Sequence, residues 1–470
     1  MTPLLAALPL LVAIAAMVAR WSAPRAAAVS LLTAAVLTLT VFRTPFTELR
    51  EAGVDLAPTL VEVLVILLGG VLLSRILDAS GDQRRIAEWL GATCAGEHDR
   101  VILLMVLGVT PFAESVTGFG LGAVVAIPLL QHLGFSRARS LALGLLGLYL
   151  TTWGALATGT LIAAHLGGVP TADLGMRSAL FAAPLTLFAA LVALRVGTGH
   201  RPGAGNLVQA LVLTVMQSGV LILSSRFLGH ALGGALSSLA VIATAMIMMR
   251  SSARLDATTR GALTPYSVLV AGLVVSTLLV RALGWTGWAA LPTHGSIWLL
   301  VACTVAALRL RRAHPGDVMP TLRRALTAWR PVGLGTGGFV LLGSLLTATG
   351  MSAAIGSALA GTGPLFPFAS AALAGLSGLV TGTVAGSNSM LAASQAGAAS
   401  ALGAEPLSAL ATQNTLSGVF TILSPTRVAL ARAVVGVDAS DHVPETHFLG
   451  WLAVLCAVSG AWFTVVGYLW

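Results

Sequence analysis

Pro111-Phe112-Ala113-Glu114-Ser115-Val116-Thr117-Gly118-Phe119-Gly120-Leu121-Gly122 lies between two apolar runs, 101–108 and 123–130. It sets a carboxylate among residues that break helices or supply polar atoms: Pro111, Ser115, Thr117, Gly118, Gly120 and Gly122. An unsatisfied backbone group in hydrocarbon costs several kcal/mol, so irregular backbone at membrane depth survives only where protein or a water-filled cavity covers it. An ionisable residue in such a place is a functional hypothesis by default.

The flanks have the character this reading needs. Of 470 residues, 56% are hydrophobic and 9% charged, where soluble domains carry about a quarter charged residues. Apolar stretches long enough to cross a core of roughly 30 Å recur from end to end, and no stretch is polar enough to form a separate soluble domain. The expected class is an all-α polytopic membrane protein. All 26 basic residues are arginine and fall mostly in short connections between apolar runs. That is the positive-inside signal rather than a phosphate-binding groove, so the net charge of +9 does not imply a nucleic-acid partner. Cys94, Cys303 and Cys456 are far apart and imply neither a disulfide framework nor a zinc site. The run 4–18 has its arginines after it, at Arg20 and Arg25, and reads as a retained helix rather than a cleaved signal peptide.

Helices are expected at 3–19, 26–42, 58–78, 177–196, 206–224, 231–249, 266–284, 296–309 and 331–349. Placing the arginine-rich connections in the cytoplasm, among them those holding Arg84, Arg137, Arg201, Arg254 and Arg311, gives a self-consistent count with the N-terminus outside. The segment 79–100 reads as a mixed-charge loop. The runs 101–113 and 119–133 are each short for a crossing. A re-entrant hairpin broken at 114–118 keeps Arg137 and Arg139 on the cytoplasmic side. The segment 140–165 carries Thr151-Thr152-Trp153-Gly154 and reads as a broken helix.

The second half repeats this pattern. Runs 366–380 and 390–402 flank a Gly/Ser/Thr-rich break at 381–389, and 407–432 carries a break from Ser417-Gly418 to Ser424-Pro425. Laying Leu133-Gly134-Phe135 on Leu402-Gly403-Ala404 puts Gly118-Phe119-Gly120 opposite Ser387-Asn388-Ser389. The expectation is two inverted repeats, 1–196 and 265–470, joined by helices in 197–264. Each repeat holds a re-entrant hairpin (about 101–133 and 365–402) and a broken helix. Paired interruptions in matching places of two halves point to a transporter's midplane site.

These residues resemble the L-lactate permease family. The likeness is carried by Phe112-Ala113-Glu114-Ser115-Val116-Thr117-Gly118-Phe119-Gly120, Ala126-Ile127-Pro128 and Leu133-Gly134-Phe135. It continues in Gly386-Ser387-Asn388-Ser389, Gln395-Ala396, Ala411-Thr412-Gln413-Asn414, Ser417-Gly418-Val419 and Ser424-Pro425. The resemblance implies a proton-coupled importer of small 2-hydroxymonocarboxylates (L-lactate, with glycolate and D-lactate as options) in the bacterial plasma membrane. It also implies kinship with the ion-transporter superfamily of inverted repeats. The chain departs from the family at Tyr149-Leu150-Thr151-Thr152, where an Asn-Thr pair is usual. It departs again at Thr421-Ile422-Leu423, where a lysine usually precedes the Ser-Pro and Arg427 here follows it. The implied partners are a small carboxylate, a coupling proton (sodium being the alternative) and the bilayer. A homodimer is an option, and no cofactor or metal is called for.

Among individual residues, Glu114 is the candidate proton carrier, because a carboxyl in low dielectric is costly to keep ionised and can load and release a proton. The candidate substrate-binding residues are Gly118, Phe119, Gly120, Ser387, Asn388, Ser389, Asn414 and Arg427. The hydroxyls, amides and half-helix ends suit a carboxylate with a neighbouring hydroxyl, or a sodium ion. The plain alternative for the small residues is close helix packing. For Arg427 the alternatives are a bidentate carboxylate partner and a snorkelling cation near an inner helix end. Glu62, a few residues into its helix, is expected to reach the interface. Gly333-Leu334-Gly335-Thr336-Gly337-Gly338 follows no strand and fails the context of a dinucleotide loop. His132, His165 and His294 stand singly without metal spacing. No paired nucleophile and base is present to suggest an enzyme, and a channel would not need paired breaks.

Overall fold

The computed structural model describes residues 2–93, 98–249, 255–436 and 446–469; Cys94 and Arg254 lie outside them. Among the described residues all regular structure is helical. Ten helices among the described residues are long and apolar enough to cross a membrane, or up to twelve if two bent pairs count as one span each. Those pairs are Gly287–Thr293 with Gly295–Ala313, bent by 51°, and Pro406–Leu423 with Pro425–Val435, bent by 43°.

Burial sorts these helices into a centre and a shell. The run Arg137–Gly167 is buried throughout its apolar window, and Asp99–Thr117 nearly so. Ala204–Phe227 instead exposes Val208, Leu211 and Val215. Apolar residues turned outward in this way are what a lipid-facing helix needs, since lipid tails are as apolar as leucine. The long helices Phe46–Ala79 and Val318–Ala348 pack on each other, as do Thr171–Thr198 and Ala204–Phe227; Val318–Ala348 also packs on Val384–Ala401, and Thr171–Thr198 on Pro406–Phe420. Glycine lets these inner elements approach at backbone distance. A Cβ on Gly378 would stand 2.1 Å from the Ser417 carbonyl oxygen, and one on Gly343 would stand 2.2 Å from that of Ser389.

Several expectations are corrected by this architecture. The segment expected as a loop at 79–100 contains the helix Asp82–Thr93, whose Asp82 is buried and paired at 2.9 Å with Arg85. A short helix, Met351–Ala360, follows Val318–Ala348. The first arm of the first hairpin is longer than expected, because helix runs without a gap from His98 to Thr117 through a π-helical turn at Leu104–Val109. Glu114 is therefore inside a helix, and the chain breaks after it. Gly118, Phe119 and Gly120 sit at φ of +72°, +58° and +82°, a left-handed run that ends one arm before Leu121–His132 begins the other.

The second hairpin, Phe366–Thr381 and Val384–Ala401, turns within the expected break at 381–389, but at its start rather than at Ser387-Asn388-Ser389. Gly382 takes φ +66° and Thr383 caps the next helix by accepting from the N–H of Gly386 at 3.0 Å. Ser387, Asn388 and Ser389 consequently lie one turn inside a regular helix. Their small polar side chains did not break it, because Ser389 Oγ bonds back to the carbonyl of Ala385 at 2.7 Å. The second hairpin thus turns at Gly382-Thr383, as the first turns at Gly118–Gly120.

Both broken helices are present. The first passes from Arg137–Leu146 through a 3₁₀ stretch, Gly147–Trp153, to an extended Gly154. Ala155, Leu156 and Ala157 then hold φ of +46°, +53° and +59° before right-handed helix resumes to Gly167. The second ends its α-helix at Phe420, continues as 3₁₀ over Thr421–Leu423, and restarts at Pro425 after an extended Ser424.

Candidate functional site

The two turns and two breaks converge. Because the chain reverses at Gly118–Gly120, the N–H groups that open the second arm face back onto the first. Glu114 receives them: Gly120 N lies 3.1 and 3.0 Å from its two carboxylate oxygens, and Gly122 N lies 3.2 Å from Oε2. The carboxylate of one half-helix caps the positive end of the next. Gly122 is required for this approach, since a Cβ there would meet the Thr110 carbonyl oxygen at 2.5 Å.

Arg427 comes from the first turn of Pro425–Val435, held there by the Ser424 hydroxyl that accepts from its N–H at 3.4 Å. It is 4% exposed, and Glu114 is 1% exposed. Of the two alternatives for Arg427, the snorkelling cation at a helix end does not hold: the break turns its side chain inward. Its Nη1 donates to Glu114 Oε1 at 3.1 Å and to Thr151 Oγ1 at 3.2 Å, and its Nε donates to the carbonyl oxygen of Gly382 at 3.1 Å. One side chain from the second broken helix thus touches both hairpins and the first broken helix. These bonds occupy three of the five N–H donors of a guanidinium.

Beside the pair lies a small, half-open cavity of about 20 Å³, lined by Glu114, Gly118, Phe119, Thr151, Thr158, Thr383 and Arg427 among others. Of the expected site residues, Glu114, Gly118, Phe119 and Arg427 line it, and Gly120 supplies its N–H to Glu114. The rest look elsewhere. Asn388 Nδ2 donates to the carbonyl of Gly159 at 2.9 Å and to Asn414 Oδ1 at 2.8 Å. Asn414 Nδ2 donates to Thr160 Oγ1 at 2.9 Å and Ser178 Oγ at 3.0 Å. Ser387 is bonded to Ser377 and accepts from Gln413 Nε2 at 2.8 Å. These side chains link the second hairpin and second broken helix to the elements around them.

Sequence reasoning missed Thr151, Thr158 and Thr383 as lining residues. The signal for two of them was present, since Thr151 sits in the recognised break of the first broken helix and Thr383 in the wider break of the second hairpin. Glu62 also departs from expectation: it does not simply reach the interface but lies 2.9 Å from His294 Nδ1, between Phe46–Ala79 and the start of Gly295–Ala313. Among the described residues no group of His, Cys, Asp and Glu has the placement of a metal site.

Comparison with known proteins gives a relation at three levels. An L-lactate permease of Halalkalibacterium halodurans is 28% identical over 129 residues, which is 27% of this chain and 24% of that relative; the matched stretch thus spans about a quarter of the relative's length. Two solved transporters are distantly similar in structure. YdaH of Alcanivorax borkumensis has a TM-score of 0.47 at 15% identity, with 89% of this chain and 87% of that chain covered. MtrF of Neisseria gonorrhoeae, described among antimetabolite efflux pumps, has a TM-score of 0.49 at 13% identity, with 92% and 84% covered. The family model described as L-lactate permease matches residues 2–283 and 286–442, nearly the whole length, and the chain belongs to that family.

Proposed function

We propose that this protein is a secondary transporter that imports a small 2-hydroxymonocarboxylate, L-lactate or a near analogue such as glycolate or D-lactate, together with protons across the bacterial plasma membrane. The observation that carries the reading is the Glu114–Arg427 pair, buried beside a cavity where two hairpin turns and two helix breaks meet. An anion entering a buried site needs a cation that is not fully committed, and Arg427 is a forked donor with N–H groups to spare. A proton is coupled to that anion by competition. While Glu114 is ionised it holds Arg427. Protonation removes the charge from Glu114, weakens its bonds to Gly120, Gly122 and Arg427, and releases the guanidinium for the substrate carboxylate. Departure of the proton restores the internal pair and expels the anion.

The halves 1–196 and 265–470 are proposed to be inverted repeats flanking 197–264. The support is their order of elements: a hairpin, then a broken helix, at 98–132 and 137–167 in the first half and at 366–401 and 406–435 in the second.

Uptake of labelled L-lactate into proteoliposomes tests the proposal. Accumulation driven by an inward proton gradient is the expected result. Accumulation that follows a sodium gradient and ignores protons would establish the alternative, a sodium-coupled carrier of an organic anion.

A further inference from the structure

We propose that Thr158 reads the 2-hydroxyl of the substrate and so sets the preference of the site for 2-hydroxy acids over plain monocarboxylates. The inference rests on the monocarboxylate reading above. Three threonine hydroxyls line the cavity with Arg427: Thr151, Thr158 and Thr383. Two already bond within the protein. Thr151 Oγ1 donates to the carbonyl of Leu148 and accepts from Arg427 Nη1. Thr383 Oγ1 accepts from the Gly386 N–H as a helix cap.

Thr158 is in a different position because of the backbone that precedes it. A threonine in a membrane helix ordinarily satisfies its hydroxyl by donating to the carbonyl four residues back. Thr117, Thr412 and Thr415 do so here, at 2.6, 2.9 and 2.6 Å. Four residues before Thr158 is Gly154, which is extended, and the three residues between them are left-handed. The helical acceptor is therefore not in place. Thr158 is 4% exposed, lines the cavity, and makes no side-chain hydrogen bond among the described residues. A hydroxyl donates once and accepts twice, so this one can both give and take a hydrogen bond from an alcohol. In a 2-hydroxy acid the alcohol is one carbon from the carboxylate. A substrate whose carboxylate rests on Arg427 would carry its hydroxyl along the same lining, where Thr158 alone of the three threonines makes no hydrogen bond inside the protein among the described residues.

The test is equilibrium binding of L-lactate and of propionate, which lacks only the hydroxyl, to purified wild type, Thr158→Val and Thr158→Ser. Valine keeps the shape of threonine and removes the hydroxyl, whereas serine keeps the hydroxyl. Wild type is expected to prefer lactate. Thr158→Val should weaken lactate binding by roughly 5- to 50-fold while moving propionate less than about twofold, and Thr158→Ser should retain the preference. An unchanged lactate-to-propionate ratio in Thr158→Val, or a parallel loss of both ligands, overturns the assignment. So does a wild type that binds both acids equally. Failure of wild type to bind either acid is a different result, which overturns the monocarboxylate reading and this inference with it.

Discussion

The guanidinium of Arg427 lies 3.1 Å from the carboxylate of Glu114 across 313 residues of sequence, and neither side chain is more than 4% exposed. Removing one member of a buried pair leaves the other charge uncompensated, at a cost of about 3–5 kcal/mol, whereas neutralising both can be nearly harmless to folding. Under the proposed function the pair therefore makes separable demands on stability and on transport.

Glu114→Gln should abolish uphill, proton-driven accumulation while leaving exchange of internal for external substrate. In the proposed cycle, exchange can proceed with the group permanently neutral, but net cycling has to release a proton. Counterflow and gradient-driven uptake measured on the same proteoliposomes separate the two, and normal uphill accumulation would remove Glu114 from the coupling step.

Arg427→Lys should lower substrate affinity at least tenfold, because a point-like ammonium cannot reproduce the fork that reaches Glu114, Thr151 and the Gly382 carbonyl together. In thermal unfolding, Arg427→Gln should be strongly destabilised, and adding Glu114→Gln should restore part of the loss. A double variant no more stable than Arg427→Gln alone would mean that the pair contributes no coupling energy.

Asn388→Ala separates a scaffold role from a binding role. Its amide bonds Gly159 and Asn414 rather than lining the cavity, so the expected outcome is a stability loss of about 1–3 kcal/mol with substrate affinity within about threefold of wild type. A selective drop in affinity of 5- to 150-fold, with stability intact, would return Asn388 to the binding site.

Gly122→Ala should impair both folding yield and transport, since the added methyl would lie 2.5 Å from the Thr110 carbonyl oxygen and 3.0 Å from Glu114 Cβ. Gly205→Ala meets nothing within 4 Å and should be neutral in the same expression and thermal-shift measurements.

The membrane path of the first hairpin is testable by labelling. Single cysteines replacing Arg84, Arg137, Arg201 and Arg311 in a cysteine-free background should all resist an impermeant thiol reagent added outside. Labelling at 137 but not at 84 would make 98–132 a full crossing rather than a re-entrant hairpin.

Much of this arrangement was legible because glycine, proline and hydroxyl residues interrupt otherwise apolar runs. Gly118-Phe119-Gly120, Thr151–Gly154 and Ser424-Pro425 each mark a real interruption within a residue or two. What the sequence concealed was direction and register. Ser387-Asn388-Ser389 are polar enough to suggest a break, yet serine can satisfy itself on the preceding turn and leave the helix intact, while Gly382, with no side chain to oppose a positive φ, makes the turn five residues earlier. The aim of Arg427 was equally hidden, because a 43° bend at Ser424 decides whether the side chain meets lipid headgroups or the protein centre. The three left-handed residues at Ala155–Ala157 gave no sign at all, since alanine and leucine disfavour that conformation by about 1–2 kcal/mol per residue and only their surroundings hold it.

A pair of opposite charges has an electrical consequence for the transport cycle proposed above. With the cavity empty, Glu114 and Arg427 sum to zero. With one proton on Glu114 and one monocarboxylate on Arg427, the sum is again zero. Moving one net charge through the membrane field is worth about 2.3 kcal/mol per 100 mV, but a carrier that is neutral in both loaded and empty forms feels none of it. Uptake of one proton with one anion would then respond to the pH difference and be indifferent to voltage, so a potassium-valinomycin potential imposed at equal pH should leave the initial rate unchanged.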